Sequence, residues 1–328
     1  MLHAHCAIRA SQGAATVTAS DFTVCVCTYR RPAPLRRLLE SVAGQTEQPA
    51  EIIVVDGSPD DDTERMLEGF ACRDGAVGLR YLRAGAIDRG LTRQRNIALA
   101  ATATPLVAFF DDDVVLLPGA LAALARVHRE HHPAPAGVAA MIENELESPP
   151  AKWRLRRRLR VVPDLEPGRY TRSGMSIPWS FLGLDAPVTR GDWLPGGATM
   201  WRTDAARSTG FDAALAGYGN GEDLEFSRRV AAHGPLLMCP AARVLHLHAS
   251  AGRPDARNLG YMTVLNTWRI HRRMQGRSAG DVARFGYAHV LELLFLAAGT
   301  VRDHAPERRS YLRGYAAGLR DLLAGRGR

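Results

Sequence analysis

The chain has 328 residues, of which 46% are apolar and 23% charged, a composition typical of a globular protein that can bury a full core. Its 42 lysines and arginines exceed its 34 acidic residues, so the formal net charge is +8 and anionic partners are favoured. Nucleotide phosphates, lipid headgroups and nucleic acid all fit that charge. The 5 cysteines show no disulfide or zinc spacing, which indicates free thiols in a reducing compartment and hence a cytoplasmic protein.

The first 140 residues alternate apolar strands with amphipathic helices. Strands are predicted at 22–28, 51–56, 79–82 and 105–110, and helices at 34–42, 63–70, 91–103 and 118–131. This order is typical of an α/β fold with a mostly parallel, Rossmann-like sheet that has helices on both faces. Ligands bind such sheets at the carboxyl ends of the strands, where Asp56 and Asp111 lie.

The second half of the sequence is less regular. Residues 145–195 are rich in Pro, Gly and Arg and are predicted to be irregular. After them we predict a strand at 194–202, a helix at 224–233, strands at 236–246 and helices from 258 onward. We therefore expect a loose N-terminal tail at 1–20, a main α/β domain at 21–255 and a helical region at 256–328 that packs on it.

Three adjacent carboxylates follow the strand predicted at 105–110, namely Asp111, Asp112 and Asp113. Adjacent carboxylates repel one another, so this cluster calls for a counter-charge. Carboxylate oxygens are the ligands that Mg²⁺ and Mn²⁺ prefer, and Asp111 and Asp113 project in the same direction if the strand continues. A solvated acidic turn before the next helix is the alternative. The position at a strand end favours a divalent cation.

A second acidic pair, Glu222 and Asp223, opens a predicted helix after the glycine-rich loop Gly219-Asn220-Gly221. Acidic residues are favoured at helix N-termini in any case, so a helix cap is one interpretation. The other is a general base that takes a proton from an attacking sugar hydroxyl.

Two histidines, His246 and His248, alternate on one face of a predicted strand. A histidine there is either part of the core or a metal ligand, since a neutral imidazole suits Mn²⁺.

These motifs form a series in chain order. The series comprises Thr28-Tyr29-Arg30-Arg31-Pro32, Val54-Val55-Asp56-Gly57-Ser58, Arg93-Gln94-Arg95-Asn96, Asp111-Asp112-Asp113, Pro195-Gly196-Gly197, Gly221-Glu222-Asp223 and His246. Over about residues 22 to 250 it resembles glycosyltransferase family 2, whose members have the GT-A fold.

The resemblance implies an inverting enzyme that uses Mn²⁺ or Mg²⁺ to move a sugar from a nucleotide diphosphate donor, of UDP or dTDP type, to an acceptor hydroxyl. It implies a nucleotide-sugar site at Thr28, Tyr29, Arg30, Asp56, Arg95, Asn96, Asp111, Asp112, Gly196 and Gly197. It implies metal ligands at Asp111, Asp113 and His246, with His248 as a competitor for the last of these. Asp223 matches the catalytic base and Glu222 its neighbour.

Three other classes of protein are alternatives to a glycosyltransferase. A non-catalytic nucleotide-sugar-binding protein on the same scaffold would be favoured by loss of the acidic motifs, and they are present. A nucleotidyltransferase needs a glycine-rich phosphate loop, and residues 28–34 hold no glycine. A nucleic-acid binder interleaves basic and aromatic residues, whereas the basic run Lys152–Arg160 has only Trp153, so no nucleic acid is expected.

The acceptor and any membrane contact are less constrained. A sugar, a lipid-linked or a small-molecule acceptor fits, as in cell-envelope or natural-product glycosylation. The run Val290–Ala298 is interrupted by Glu292 and is too short to span a bilayer. The basic run Lys152–Arg160 is either a solvated face or a patch for lipid phosphates. We expect the C-terminal region to pack on the main domain and to touch anionic membrane through Tyr287, Leu291, Leu294 and Phe295.

Overall fold

A computed structural model describes residues 20–70, 77–215, 219–249, 255–274 and 278–326, so the tail predicted at 1–20 lies outside the described residues except for Ser20. The strands are β1 (Phe22–Thr28), β2 (Glu51–Asp56), β3 (Gly78–Arg83), β4 (Leu106–Asp111), β5 (Val114–Leu116), β6 (Gly137–Ile142), β7 (Thr189–Gly191), β8 (Ala198–Arg202) and β9 (Leu236–His246). The helices are α1 (Pro32–Ala43), α2 (Asp62–Glu68), α3 (Leu91–Ala101), α4 (Ala120–Glu130), α5 (Ala151–Arg158), α6 (Thr203–Thr209), α7 (Glu222–Val230), α8 (Ala256–Met274), α9 (Ala279–Arg302) and α10 (Pro306–Leu323).

These strands form a single sheet. Its order is β3-β2-β1-β4-β8-β6-β9-β5, with β7 paired to β9. β3, β2, β1 and β4 run parallel, β8 is antiparallel to both β4 and β6, and β6 is parallel to β9. The predicted α/β class, with a Rossmann-like sheet and C-terminal helices, is confirmed.

The central strands are apolar on both faces because helices cover both faces. Val24, Val54 and Phe110 pack into the core beneath α1, α2 and α4. Cys25 and Phe109, one residue out of phase, pack into a second core beneath α3, α6 and α7. Two buried layers therefore hold the sheet rigid between them.

The parallel register brings the predicted functional segments to one edge of the sheet. Thr28 at the end of β1 pairs with Asp56 at the end of β2, and Cys27 pairs with Asp111 at the end of β4. Because parallel strands end at the same edge, side chains from segments more than 80 residues apart in sequence meet there.

The segment predicted as irregular, 145–195, contains regular elements. The basic run folds into α5, and β7 pairs with β9. Only Trp153 and Arg156 of α5 are buried, so the sequence of this helix lacks the apolar periodicity from which helices are predicted. Strand β6 and helix α6 were likewise not predicted.

The C-terminal helices pack on the α/β domain. Helices α8 and α10 cross so closely that a Cβ atom at Gly260 or Gly314 would lie 2.3 or 1.9 Å from a backbone oxygen of the other helix. The Nη1 of Arg273 in α8 lies 2.5 Å from Glu225 of α7 and 3.0 Å from Asp212. The residues after the sheet are therefore tied directly to α7, the helix that starts with the second acidic pair.

Candidate active site

The middle carboxylate of the acidic turn is a buried brace. Asp112 accepts hydrogen bonds from the Thr28 hydroxyl at 2.7 Å and from Nη1 of Arg31 at 2.9 Å. Burial raises the pKa of Asp112 to about 6, against the opposing charge of Arg31 and the bond from Thr28. Both oxygens of Asp112 thus accept hydrogen bonds from protein groups. The residue was predicted to contact the nucleotide sugar.

Asp113 contacts the end of β9 and shares Nη1 of Arg31 with Asp112, at 3.5 Å. One oxygen accepts the Ala249 N–H at 2.9 Å, and the other lies 3.3 Å from Nε2 of His246. Burial would raise the pKa of Asp113, but the bond to His246, the charge of that ring and Arg31 together lower it. The two hydrogen-bonded carboxylates, Asp113 and Glu145, raise the pKa of His246 to about 9.

Glu145 completes a cluster that sequence reasoning missed. Its Oε1 lies 2.7 Å from Nδ1 of His246 and 3.3 Å from Nε2 of His248. Ligand atoms of Glu145, His246 and His248 lie within 4.8 Å of one another. An imidazole held from behind by a carboxylate is the arrangement typical of metal-ligating histidines. These oxygen and nitrogen donors, with Asp113 on the other ring nitrogen of His246, suit a divalent cation that displaces the proton of His246.

Asp111 points toward Arg95. Its side chain is about a third exposed, at 37%, and its Oδ1 lies 3.0 Å from Nη2 of Arg95. Arg95 is buried, and its Nη1 lies 2.7 Å from Oε1 of Glu222. Nη2 also donates to the Gly196 carbonyl at 3.0 Å. One guanidinium therefore joins the acidic turn to the start of α7, with both of its charged partners in hydrogen-bonding contact.

The glycine pair allows this close assembly. A Cβ atom at Gly196 would lie 2.8 Å from Glu222 Oε1 and 2.9 Å from Arg95 Nη1. A Cβ atom at Gly197 would lie 2.5 Å from Asp111 Oδ2. Distances under about 3 Å are below ordinary van der Waals contact, so no other residue fits these positions without displacing a charged side chain.

The second acidic pair opens α7, but it does not cap the helix. Gly221 occupies the N-cap position with φ +87° and supplies no side chain. Asp223 is half-buried and accepts the Leu224 N–H at 2.7 Å and a backbone hydrogen bond from Gly196. Burial raises the pKa of Glu222 and of Asp223, and the Asp223 carboxylate raises that of Glu222 further. The pair therefore titrates above the ordinary carboxylate range.

The ends of β1 and β2 form the remaining wall. Asp56 is fully buried, with its oxygens bonded to the Ser58 N–H at 2.8 Å and to the Tyr81 hydroxyl at 3.1 Å. Tyr29 is 37% exposed, and the Arg30 guanidinium lies 5.5 Å from the centre of its ring. Tyr29 and Arg30 thus present an aromatic and cationic surface beside the buried Asp56.

Helix α3 supplies two further fixed contacts. Gln94 donates to the carbonyls of Thr28 at 3.0 Å and Val55 at 2.8 Å. Asn96 was predicted near the nucleotide, and its amide instead bonds both backbone groups of Phe211, at 2.9 and 2.8 Å. Gln94 thus braces the ends of β1 and β2, and Asn96 holds the backbone of Phe211.

The class of protein follows from this arrangement. A Rossmann-like sheet with an acidic turn after its central strand, a glycine pair and a helix that starts with two acids has the architecture of GT-A nucleotide-sugar transferases. Residues 23–177 match the family described as glycosyl transferase family 2.

Two curated proteins are similar in sequence. Validoxylamine A glucosyltransferase of Streptomyces hygroscopicus subsp. limoneus is 27% identical over 226 residues, which cover 65% of this chain and 48% of that protein. The GalNAc(5)-diNAcBac-PP-undecaprenol beta-1,3-glucosyltransferase of Campylobacter jejuni is 30% identical over 108 residues, which cover 33% of this chain and 34% of that protein. The chain spans about half or less of the length of these curated relatives.

Solved structures share the fold. GalNAc-T7 with UDP, GalNAc and Mn²⁺ superposes with a TM-score of 0.56 at 18% identity, over 77% of this chain and 48% of that one. The mannosyltransferase PcManGT from Pyrobaculum calidifontis, in complex with GDP-Man and Mn²⁺, superposes with a TM-score of 0.55 at 17% identity, over 92% and 87%. The chain is therefore similar to family 2 glycosyltransferases over residues 23–177, and it shares the fold of these solved enzymes.

The crowding at Gly197 gives a first prediction. In Gly197→Ala the added methyl group would push the Asp111 carboxylate away from Arg95, so we expect at least about a tenfold loss of UDP affinity in the presence of Mn²⁺. Isothermal titration calorimetry measures it. The matched control is Gly183→Ala, where a Cβ atom meets nothing within 4 Å. Equal affinity in both variants would show that the close approach is not needed.

Proposed function

We propose that the protein is an inverting, metal-dependent glycosyltransferase that moves a sugar from a UDP- or dTDP-type donor to an acceptor hydroxyl. The observation that carries the proposal is the Arg95 bridge, which links Asp111 of the acidic turn to Glu222 beside Asp223. A donor diphosphate at the acidic turn and an acceptor hydroxyl at α7 would then lie on two sides of one rigid network. Positioning of this kind supplies much of the rate enhancement in group transfer.

The proposed donor site lies along the carboxyl ends of β1, β2 and β4. Tyr29 and Arg30 are the exposed members of the predicted set and are suited to meet the nucleotide. Thr28, Asp56 and Asp112 would shape the wall behind it, because their polar side-chain atoms already bond within the protein. This division refines the assignment that the family resemblance implies.

The proposed cation site comprises Asp111, Asp113 and His246. A divalent ion held there would supply Lewis-acid stabilisation of the charge that develops on the diphosphate leaving group. Glu145 would keep the His246 ring oriented through its 2.7 Å contact with Nδ1, leaving Nε2 directed to the Asp113 side. His248 remains the alternative imidazole, since it reaches Glu145 at 3.3 Å.

Asp223 is the proposed general base. Its position in the first turn of α7 places the carboxylate in the positive field of the helix N-terminus, which favours the ionised form that accepts a proton. Glu222 is engaged by Arg95, so Asp223 is the acid left to meet an acceptor hydroxyl. Attack from the face opposite the leaving group inverts the anomeric carbon, following the single-displacement logic of inverting glycosidases.

The acceptor and the cellular location are part of the same proposal. We place the enzyme on the cytoplasmic side, which the unpaired cysteines Cys25, Cys27 and Cys239 of the described chain support. The acceptor is a sugar, lipid-linked or small-molecule hydroxyl. Release of free sugar from nucleotide sugars with Mn²⁺ would separate this proposal from a binding protein, which hydrolyses none, and from a nucleotidyltransferase, which forms diphosphate from nucleoside triphosphates.

The cation requirement is testable by binding alone. We expect UDP to bind with Mn²⁺ and to lose at least about tenfold in affinity with EDTA, and in Asp113→Ala with the metal present. Calorimetric titration measures all three conditions, and Glu40→Ala, an exposed acid on α1, serves as the control. Equal affinity with Mn²⁺ and EDTA in the wild type would remove the metal from the proposal.

The base assignment predicts a split between binding and turnover. Asp223→Asn should keep UDP affinity and melting temperature while turnover falls by roughly 10²–10⁴-fold, the usual size of a general-base contribution. Asparagine preserves the shape of the side chain and its bond to the Leu224 N–H, so the fold has no reason to change. A fully active Asp223→Asn enzyme would sink the assignment.

The acidic pair also predicts a pH effect. A base must be deprotonated to act, and burial raises the pKa of Asp223, so kcat/KM should rise with pH through an apparent pKa above the ordinary aspartate value of about 3.9. Glu222→Gln removes a negative charge beside Asp223 and leaves the positive charge of Arg95 to act on Asp223. Both changes lower the pKa of Asp223, so the rise of kcat/KM should occur at lower pH. A pH–rate profile of both proteins tests it; a rise that stays at the same pH contradicts the coupling.

A further inference from the structure

Helix α9 carries an apolar stripe on its outer side. Among the described residues, several of the large apolar side chains that are most exposed lie on this helix, and four share one face: Tyr287, Val290, Leu294 and Val301, exposed by 48, 54, 57 and 75%. Their spacing of three, four and seven residues repeats along one side of an α-helix. We call these four residues the outer stripe. Single exposed apolar residues are ordinary, but a continuous row marks an interaction site.

The opposite side of α9 is packed on the domain. Phe285, Ala288 and His289 are buried, and Glu292 forms an ion pair with Arg156 of α5. The Arg156 guanidinium also lies 5.7 Å from the Phe295 ring centre. Phe295 was expected on the membrane-facing side, and Leu291 likewise; the structure turns both toward α5 instead.

Helix α9 is longer than the apolar run identified in the sequence. It has 24 residues with a mean hydropathy of 1.3 over its most apolar window, long and apolar enough to cross a membrane by length and composition alone, and 17% of that window is buried. A spanning helix would have to withdraw Glu292 from Arg156 and His289 from the Tyr315 hydroxyl, at 2.5 Å. Ionisable groups stripped of their partners are costly in a bilayer, so a helix lying flat is favoured.

A basic helix lies beside the outer stripe. The exposed basic residues of the α5 segment are Lys152, Arg154, Arg157, Arg158 and Arg160, and between them Leu155 is 42% exposed. The Tyr287 hydroxyl donates to the Leu159 carbonyl at 3.0 Å, so the two helices meet at the stripe itself. The basic run and the apolar C-terminal helix, separate features of the sequence, therefore form one surface.

We propose that α5 and the outer stripe of α9 bind an anionic lipid membrane, with α9 lying in the plane of the interface. The apolar stripe would enter the boundary between headgroups and acyl chains, and the lysine and arginines of α5 would contact lipid phosphates. A second copy of the chain is the less suitable occupant, because a symmetric contact through this surface would set two strongly basic helices against each other.

Vesicle co-sedimentation tests the surface. The full chain is mixed at low salt with vesicles of phosphatidylcholine alone or of phosphatidylcholine with phosphatidylglycerol. We expect binding to the anionic vesicles only, weakened by roughly 10- to 30-fold when Arg157→Gln and Arg158→Gln are combined, at about one kcal/mol for each charge. Val290→Gln with Leu294→Gln, which keeps helix-forming residues, should weaken it by at least roughly tenfold.

Matched controls change the same chemistry elsewhere. Arg65→Gln with Arg126→Gln removes two exposed charges from α2 and α4, and Ile87→Gln with Val188→Gln removes two exposed apolar side chains. Both should bind vesicles as the wild type does, and every variant should keep its melting temperature and UDP affinity, which separates this surface from the transfer site.

Four outcomes of the vesicle experiment would overturn the proposal. They are no binding of the wild type to anionic vesicles, equal binding to both kinds of vesicle, equal losses in the controls, and unchanged binding of the Val290 and Leu294 variant. Self-association of the wild type that this variant abolishes, seen by light scattering in the absence of vesicles, would assign the surface to a second copy and overturn it as well.

Discussion

The buried guanidinium of Arg95 is the contact on which the site depends. Its Nη2 lies 3.0 Å from Oδ1 of Asp111 in the acidic turn, and its Nη1 lies 2.7 Å from Oε1 of Glu222 in α7. Without the positive charge of Arg95, the two carboxylates would repel each other. Removing one partner of a buried ion pair typically costs about 3–5 kcal/mol, because an uncompensated charge remains. Arg95 therefore fixes the distance between the proposed donor side and acceptor side of the reaction, and the glycines at 196 and 197 are small because that distance is short.

Helix α3 holds this arrangement through three consecutive residues. Successive side chains on a helix point about 100° apart, so neighbours in sequence serve different surroundings. Gln94 braces the ends of β1 and β2, Arg95 joins the acids, and Asn96 clamps the backbone of Phe211. The Phe211 ring stacks on Phe226 of α7, with 4.0 Å between ring centres. Helix α3 is therefore also linked to α7, the helix that carries the proposed base.

The sequence predicted the first half of the fold closely, for a physical reason. Strands β1 and β2 are apolar on both faces and so stand out from their surroundings, and their predicted bounds agree with the structure. The acidic turn and the pair opening α7 were also located, since clustered carboxylates are visible in one dimension. Glu145 was missed because it meets His246 only through the pairing of β6 with β9, about 100 residues further along the chain, and no local pattern reports such a contact. Similarly, α5 shows no apolar periodicity, and its packing on α9 combines one aromatic residue, Trp153, with a charged one, Arg156.

Both acidic clusters divide their members between support and chemistry. In the acidic turn, Asp112 is buried and bonded to Thr28 and Arg31, which leaves Asp111 and Asp113 as the pair proposed for the cation. At α7, Glu222 is held by Arg95, which leaves Asp223 as the proposed base. Asp113 is buried too, and its oxygens contact the Ala249 N–H and His246, so a cation would have to share Asp113 with these groups. Sequence alone could not make this division, because adjacent acids look equivalent until their partners are known. In each cluster an arginine lies against one buried carboxylate, Arg31 against Asp112 and Arg95 against Glu222, and offsets part of the cost of desolvating it.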